Sequence, residues 1–279
     1  MKILVTGAKG QLGTDVLKEL SSRNIQHKGT DIDNLDITDK DAVTNTILDY
    51  RPDAVIHCAA YTAVDKAEDE PELCRKINED GTRYIAEACE QAGAKMLYIS
   101  TDYVFPGTGE HFYKPSDPTD AISVYGKTKL AGEKAVTETL ERYFIVRISW
   151  VFGQHGNNFV KTMLRLGKER DSLNVVCDQI GSPTYTADLA PLLCDMAATE
   201  KYGIYHATNE GICSWAEFAE EIFKQAGLQT KVNPIPTSEY PTKATRPLNS
   251  RLDKSSLTKL GFSLLPHWKE ALKAWASTI

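Results

Sequence analysis

The stretch Lys2-Ile3-Leu4-Val5-Thr6-Gly7-Ala8-Lys9-Gly10-Gln11-Leu12-Gly13 decides the fold of this chain. Its apolar run at residues 3–5 is typical of a buried parallel strand. Three glycines then follow at steps of three. The apolar residues that come next recur at helical spacing: Leu12, Val16, Leu17 and Leu20. Strand, glycine turn and helix together predict the first half of a dinucleotide-binding unit.

Each glycine has a separate purpose in such a unit. Gly7 allows a sharp turn at the end of the strand, Gly10 lets the backbone approach a pyrophosphate, and Gly13 lets the helix pack closely on the strand. The N-terminus of the helix then offers unpaired N–H groups to the anion. An ordinary strand–turn–helix can show the same spacing, but the preceding strand and the following helix favour nucleotide binding.

A candidate ribose-binding acid follows at the expected distance. Asp31 lies 24 residues after Gly7 and directly after a second predicted strand at 26–30. A carboxylate at this point accepts hydrogen bonds from the ribose hydroxyls of a dinucleotide. The alternative is an acidic loop residue with no ligand.

Composition limits the classes of function. The 279 residues suffice for a core domain with a smaller lobe, and the net charge is −6 with no basic block. Nucleic-acid binding is therefore not expected. No apolar run approaches membrane-spanning length, and the first residues lead directly into a strand. We therefore expect no membrane segment, no signal peptide and a cytoplasmic location.

Cysteine and histidine usage predicts neither disulfides nor a metal. The closest two of the six cysteines are 15 residues apart, so there is no Cys-x-x-Cys motif. Buried free thiols in a reducing cytosol are the simplest interpretation. The six histidines show no close pairing, which makes a metal cage improbable.

Strand and helix patterns alternate along the first half of the chain. Further strands are predicted at 54–58, 96–99 and 144–148, and helices at 40–50, 68–92 and 123–140. This alternation predicts an α/β, Rossmann-type, doubly wound parallel sheet. In such sheets ligands bind beyond the carboxyl ends of the strands.

The second half is less regular and predicts a smaller C-terminal substrate lobe. We expect residues 1–150, completed by about 186–210, to form the dinucleotide-binding domain. Residues of about 151–185 and 211–279 then form the lobe. Helices are predicted at 158–169, 186–198, 215–225, 255–260 and 268–275, and strands at 173–177 and 204–207.

A catalytic pair is predicted on the helix at 123–140. In Tyr125-x-x-x-Lys129 the two side chains share one face of a helix. A free phenol has a pKa of about 10, and a nearby ammonium favours its ionised form. The pair can therefore exchange a proton with a carbonyl oxygen near neutral pH. Thr101, at the end of a predicted strand, can hydrogen-bond the same oxygen.

These residues together resemble the extended short-chain dehydrogenase/reductase superfamily. Within it, the chain is most similar to the dTDP-4-dehydrorhamnose reductase branch, over nearly its whole length. The motifs that carry this closer resemblance are Ala59-Ala60-Tyr61-Thr62-Ala63-Val64-Asp65-Lys66-Ala67-Glu68, Ser100-Thr101-Asp102-Tyr103-Val104-Phe105, Asp178-Gln179-Ile180-Gly181-Ser182-Pro183-Thr184 and Arg246-Pro247-x-Asn249-Ser250.

The resemblance implies NADPH or NADH as cofactor and assigns its contacts. It places the pyrophosphate at the glycine turn, the adenosine near the second strand, and the nicotinamide ribose near the third strand. The cofactor-binding residues it implies are Gly7, Gly10, Gln11, Leu12, Gly13, Asp31, Asp36, Ile37, Ala60, Tyr61, Thr62, Tyr125 and Lys129.

The resemblance also implies the reaction, the reduction of the C4 keto group of dTDP-4-dehydro-L-rhamnose to dTDP-L-rhamnose. Tyr125 protonates the C4 oxygen as the hydride arrives, and Lys129 holds the ribose and tunes Tyr125. Thr101 and Asp102 contact the sugar, with Trp150 beside them. The partner is thus a dTDP-linked keto sugar.

Several alternatives stay open at this point. Sugar-nucleotide dehydratases carry an acid where this chain has Tyr103, which disfavours dehydration. A non-catalytic nucleotide-binding regulatory subunit and a reductase of a different nucleotide-linked 4-keto sugar share the same motifs. Trp150 is either a sugar platform or a core aromatic, and Arg246 is a further candidate for a phosphate contact. The oligomeric state is open, a homodimer included.

Overall fold

A computed structural model describes residues 1–278 of the chain. In chain order, its strands are β1 (Lys2–Thr6), β2 (Gln26–Thr30), β3 (Ala54–His57), β4 (Lys95–Thr101), β5 (Tyr143–Ile148), β6 (Val151–Phe152), β7 (Ser172–Val176), β8 (Ile180–Gly181), β9 (Thr184–Tyr185), β10 (Gly203–His206), β11 (Cys213–Ser214), β12 (Lys231–Ile235) and β13 (Asn249–Ser250).

The helices connect these strands or cover the sheet that they form. In chain order they are α1 (Gln11–Ser22), α2 (Lys40–Tyr50), α3 (Val64–Ala67), α4 (Pro71–Arg75), α5 (Thr82–Ala92), α6 (Val124–Thr139), α7 (Phe159–Glu169), α8 (Thr186–Ala197), α9 (Trp215–Gln225), α10 (Ser255–Lys259) and α11 (Trp268–Ala276). A turn of π-helix at Lys76–Gly81 joins α4 to α5, and short 3₁₀ turns lie at Asp102–Val104 and Thr237–Glu239.

The central sheet has six parallel strands in the order β10-β5-β4-β3-β1-β2. Strand order runs outward from β1 in both directions, so the connecting helices must lie on both faces. The registers bring the carboxyl ends of β1, β2 and β3 together, with Thr6 opposite both Thr30 and His57. This confirms the predicted Rossmann-type, doubly wound α/β fold.

The alternation of side chains along β1 divides the core into two layers. Ile3 and Val5 belong to a cluster that includes buried residues of α1 and α8, whereas Leu4 packs with residues of α2, α5 and α6. Successive residues of a strand point to opposite faces, and both faces here are covered. The fully apolar run Ile3-Leu4-Val5 is therefore buried on both sides.

A separate apolar cluster lies in the second half of the chain. It is formed by α7, α9, α11 and the two-stranded sheet of β7 and β12, with Phe152, Phe218 and Trp268 at its centre. The C-terminal part of the chain also contributes to the sheet core, through Leu257 and Phe262. The domain boundaries given above stay a prediction.

One element differs clearly from the sequence expectation. The helix predicted for 68–92 begins at Pro71 and runs without interruption to Ala92, but Lys76–Gly81 in its middle form a π-helical turn. The Asn78 side chain in that turn accepts a hydrogen bond from the Tyr61 N–H at 2.8 Å and donates to the Tyr61 carbonyl and to Thr128. These contacts fix a loop beside the sheet, a tertiary effect that helical periodicity does not reveal.

Three further findings concern the described residues alone. Among residues 1–278, no helix combines the length and apolar character needed to cross a membrane. The same residues contain no cluster of three or more His, Cys, Asp or Glu side chains placed to hold a metal ion. The six cysteines are free thiols, and four of them are buried.

Candidate active site

A cavity of about 990 Å³ opens at the carboxyl ends of the sheet strands. Residues from the β1–α1 turn, the ends of β2 to β5, and the first turns of α6 line it. The sequence-predicted site residues among its lining are Gly7, Gly10, Gln11, Leu12, Gly13, Asp31, Asp36, Ile37, Ala60, Thr62, Thr101, Asp102, Tyr125, Lys129 and Trp150.

The glycine turn brings backbone against backbone. Gly7 has a φ of +65°, and a Cβ there would lie 2.6 Å from the Ala59 backbone nitrogen. A Cβ on Gly13 would collide with the Gly7 carbonyl oxygen. Because no side chain fits at either position, the backbone and the start of α1 form the wall of the cavity here.

Two ordered carboxylates occupy the far end of the cavity. Asp31 accepts hydrogen bonds from the backbone N–H groups of Lys9 at 2.8 Å and Ile32 at 2.9 Å. The Lys9 ammonium instead pairs with Asp33, at 2.7 Å. Asp36 accepts from the backbone and the hydroxyl of Thr38, and these bonds lower the pKa of its carboxyl group.

Tyr61 is the one predicted cofactor residue that the structure does not place in the cavity lining. Its hydroxyl donates to Glu70 at 2.8 Å, and its backbone is held by Asn78. Its neighbours Ala60 and Thr62 do line the cavity. The roles of all three in binding stay predictions.

Helix α6 presents Tyr125 and Lys129 to the cavity from successive turns. Its start is fixed by Ser123, which accepts a hydrogen bond from the Gly126 N–H at 3.1 Å. Burial raises the pKa of the Tyr125 phenol well above its usual value, and a hydrogen bond with the Thr101 side chain offsets part of this rise. The phenol is therefore protonated at neutral pH, as a proton donor must be.

Lys129 is 2% exposed and held in place by β4. Its ammonium donates to the Ile99 carbonyl at 2.7 Å and lies 4.0 Å from the centre of the Tyr98 ring. Burial lowers the pKa of Lys129 to about 7, and the nearby Glu133 carboxylate opposes this shift. The side chain is thus a buried cation that titrates near neutral pH.

A chain of hydroxyls and one carboxylate adjoins the phenol. Thr101 donates to Asp102 at 2.9 Å, and the Ser250 hydroxyl donates to the other oxygen of the same carboxylate. All three residues are buried, and burial raises the pKa of Asp102 to about 6 although the hydrogen bonds of Ser250 and Thr101 lower it. The Asp102 carboxylate therefore takes up a proton in mildly acidic solution, near pH 6.

Trp150 forms a second wall of the cavity, in a strained conformation. Its φ is +50°, a region that bulky residues rarely adopt. Its ring stacks on Trp215 with 3.8 Å between ring centres and 15° between planes. Trp215 is fixed in turn, since its indole N–H donates to Gln179 at 3.1 Å. Trp150 is thus a stacked wall residue and not a member of the sheet core.

A buried ion pair supports the catalytic residues from behind. Arg147 on β5 donates to Glu133 on α6 through two nitrogens, at 2.7 and 2.8 Å. Ser100 donates to the same carboxylate at 2.5 Å. Both charged side chains are at most 5% exposed, so they fix β4, β5 and α6 relative to one another.

Three supporting residues were not found from the sequence. Ser250 stood inside a recognised motif, but no role followed from its position. Trp215 opens an amphipathic helix, a pattern that indicates only core packing. Glu133 lies one helical turn after Lys129, a spacing that could have indicated it. Arg246, a candidate phosphate contact, donates to Asp65 at 2.7 Å.

The comparisons with known proteins agree with this arrangement. Residues 1–279 match the family described as the RmlD substrate binding domain. A dTDP-4-dehydrorhamnose reductase of Aggregatibacter actinomycetemcomitans is 44% identical over 98% of this chain and 97% of its own.

Two solved structures are similar over the whole chain. The crystal structure of a dTDP-4-dehydrorhamnose reductase from Clostridium acetobutylicum is 45% identical, with a TM-score of 0.97 over 100% of this chain and 99% of the other. The same enzyme from Bacillus anthracis, in complex with NADP, has the same identity, TM-score and coverage. The chain therefore belongs to the RmlD substrate binding domain family, together with the dTDP-4-dehydrorhamnose reductases that it resembles from end to end.

Proposed function

We propose that the protein is an NAD(P)H-dependent oxidoreductase that reduces the C4 keto group of dTDP-4-dehydro-L-rhamnose to dTDP-L-rhamnose. The observation that carries this proposal is one cavity that joins the glycine turn to Tyr125, Thr101 and Lys129. Relatives similar over the whole chain carry the name of this reductase, and one of them is bound to NADP. The product is a precursor of cell-surface polysaccharides.

The residues of the glycine turn fit a dinucleotide. Gly7, Gly10 and Gly13 line the cavity at the N-terminus of α1, where a pyrophosphate could approach the backbone without a side chain between them. Asp31 lines the cavity, and its carboxylate would accept hydrogen bonds from the hydroxyls of the adenosine ribose. The reduced nicotinamide supplies the hydride when it is bound. Lys129 holds the ribose on the nicotinamide side.

Tyr125 is the proton donor in this proposal. Burial keeps the phenol protonated at neutral pH, which suits the direction of reduction, where the C4 oxygen gains a proton. Thr101 and Asp102 contact the sugar. Trp150 lines the same cavity, where its ring would exclude water from the reacting centre.

The test uses purified protein, NADPH or NADH, and enzymatically prepared dTDP-4-dehydro-L-rhamnose, with the absorbance of the reduced nicotinamide as readout. We expect substrate-dependent oxidation, and a kcat for Tyr125→Phe that is lower by about 100-fold or more. Tyr205→Phe is the matched control, because Tyr205 is a buried tyrosine that hydrogen-bonds Lys201 and lies outside the cavity.

Other results would point to the other functions. Saturable cofactor binding without turnover would favour a regulatory subunit, and turnover with a different nucleotide-linked keto sugar would change the substrate. The ratio of kcat/KM for NADPH and NADH gives the cofactor preference.

We also infer a cytoplasmic location and a homodimer. The six free cysteines support the first inference. Light scattering of the purified protein tests the second, and a monomer mass across the micromolar range would contradict it.

A further inference from the structure

The direction of one hydrogen bond limits what Thr101 can do. A threonine hydroxyl has a single hydrogen, and Thr101 donates it to the Asp102 carboxylate at 2.9 Å. The Thr101 oxygen also accepts from the Tyr103 N–H at 3.2 Å. While Asp102 is ionised, Thr101 therefore has no hydrogen left for a substrate oxygen.

The surroundings of Asp102 are those of a carboxyl group that can hold a proton. Its side chain is 3% exposed, yet it lines the cavity. The groups that face it are hydroxyls and backbone amides: Thr101 before it, Tyr103 after it, Tyr125 from α6 and Ser250 from β13. Removal from water without a cationic partner favours the neutral form of a carboxyl group.

We propose, on the basis of the function given above, that Asp102 is the proton reservoir of the active site and feeds Tyr125 through the Thr101 hydroxyl. When Asp102 is protonated, its O–H donates to the Thr101 oxygen. Thr101 then turns its own hydrogen away from Asp102 and toward the phenol and the substrate. The chain of donors points to the reacting oxygen only in this state.

The proton transfer balances along this chain. The hydride forms a C–H bond at C4 and the C=O π electrons move to the oxygen, which becomes an alkoxide. The Tyr125 O–H bond then breaks and a new O–H bond forms on this oxygen. Thr101 gives its hydroxyl proton to the tyrosinate and takes the proton of Asp102. One proton has then moved from the carboxyl group to the product, and the Asp102 carboxylate regains a proton from solvent.

Ser250 is a positioning residue in this proposal. Its hydroxyl donates to Asp102, and a bond of this kind stabilises the ionised form. Burial raises the pKa of Asp102 to about 6, and the Ser250 bond opposes this rise. Loss of the hydroxyl should therefore make Asp102 hold its proton up to a higher pH. Ser250 belongs to the C-terminal part of the chain. Through it, the C-terminal part influences the protonation of Asp102 in the sheet domain.

The first experiment measures kcat/KM between pH 5 and pH 9 for the wild-type protein and three variants. We expect the wild-type value to fall as pH rises through about 6. In Ser250→Ala the fall should move to higher pH by about one unit, from the loss of a hydrogen bond to a charged group. Asp102→Asn should abolish this fall and lower kcat by about tenfold or more.

Ser182→Ala is the matched control. Ser182 is also a buried serine of the second half, but its hydroxyl donates to the Gly211 carbonyl and not to Asp102. Its pH profile should coincide with that of the wild type. Equal profiles for Ser250→Ala and Ser182→Ala in an active enzyme would overturn the proposal and leave the proposed function intact.

A second measurement does not depend on turnover. NMR of protein labelled with ¹³C-aspartate follows the signal of the Asp102 carboxyl carbon as a function of pH. The signal is assigned by its absence from the spectrum of Asp102→Asn. A titration near pH 6 that moves upward in Ser250→Ala supports the reservoir. A titration near the ordinary aspartate value of about 4 would overturn it, whether or not the enzyme turns over this substrate.

Discussion

The two walls of the cavity are built in different ways. The wall that we propose for the cofactor (the cofactor wall) is formed by residues 7–13 and 31–38. It consists of backbone in close contact, and its Asp31 carboxylate accepts hydrogen bonds from the N–H groups of Ile32, the next residue, and Lys9, 22 residues away. The wall that we propose for the sugar (the sugar wall) is formed by the buried Thr101 and Asp102 and the partly buried Trp150. Partners distant in sequence hold Asp102 and Trp150 in place. Ser250 lies 148 residues from the Asp102 carboxylate that it contacts.

This difference determines where each wall is sensitive. A backbone wall tolerates most side-chain changes but no added atom at its glycines. A side-chain wall tolerates small changes within it. It loses its geometry when a residue distant in sequence that holds one of its side chains is replaced. Substitutions at the two kinds of position should therefore give different combinations of lost stability and lost affinity.

The largest effect is expected at the ion pair behind the sugar wall. Arg147→Met leaves the Glu133 carboxylate buried without its cation, which should lower the free energy of unfolding by about 3–5 kcal/mol. Urea denaturation measures this loss. Replacing both residues, as in Arg147→Met with Glu133→Gln, should restore much of the stability. A double variant no more stable than Arg147→Met would show that the pair is not the support we describe.

The next effect concerns the backbone of the cofactor wall. Gly7→Ala should lower the free energy of unfolding by about 3 kcal/mol, because it combines a left-handed backbone with a collision against Ala59. Gly93 has nearly the same φ, +66°, but open space around its Cβ position. The free energy of unfolding of Gly93→Ala should therefore fall by only about 1 kcal/mol, and this variant should bind NADPH normally. Equal losses would mean that the close approach at Gly7 contributes nothing.

A smaller effect should separate substrate from cofactor. Trp215→Phe replaces the indole stacked on Trp150 with a smaller ring and removes its hydrogen bond to Gln179, and should raise KM for the sugar nucleotide by about threefold to tenfold. The affinity for NADPH, measured by fluorescence titration, should not change. Trp268→Phe is the control, since Trp268 packs edge-on against Phe218 in the same cluster and lies outside the cavity lining. A higher KM for NADPH in Trp215→Phe would remove the distinction between the walls.

The smallest effect is expected at the exposed edge of the cofactor wall. Asp33→Asn frees the Lys9 ammonium for the 2′-phosphate of NADPH, and should raise the preference for NADPH over NADH by about twofold to fivefold. Steady-state kinetics with both cofactors measure the ratio. Glu87→Gln breaks a similar exposed pair with Lys40 outside the cavity and should leave the ratio unchanged. A preference that does not move in Asp33→Asn would show that Lys9 stays away from the phosphate.

Sequence reasoning succeeded where structure is local. The buried strand at Ile3-Leu4-Val5, the glycine turn and the helix after it follow from patterns within about 20 residues, and the parallel sheet follows from their repetition. Asp39 directly precedes the helix predicted at 40–50, and it caps α2 by accepting a hydrogen bond from the Ala42 N–H at 3.0 Å. Tyr125 and Lys129 share a cavity because helical spacing alone places them on one face.

The supports of the sugar wall could not be predicted in this way. No periodicity links Ser250 to Asp102, and the pattern of α9 indicates only that one face is buried, not that Trp215 meets Trp150. The π-helical turn at Asn78 depends on contacts with Tyr61 and Thr128, which helical periodicity does not encode. Such contacts depend on tertiary packing, which leaves no local pattern in a single sequence.

The stacked indoles also have an optical consequence. Trp150 lines the cavity, and Trp215 lies directly behind it, so the two rings form a coupled chromophore at the binding site. Reduced nicotinamide absorbs the light that excited tryptophan emits, so energy transfer should quench the emission of this pair when the cofactor binds. Trp268 and Trp275, in the interior of the lobe, provide a background that changes little. The protein thus carries its own fluorescent reporter, with which binding of the reduced cofactor can be followed without a label.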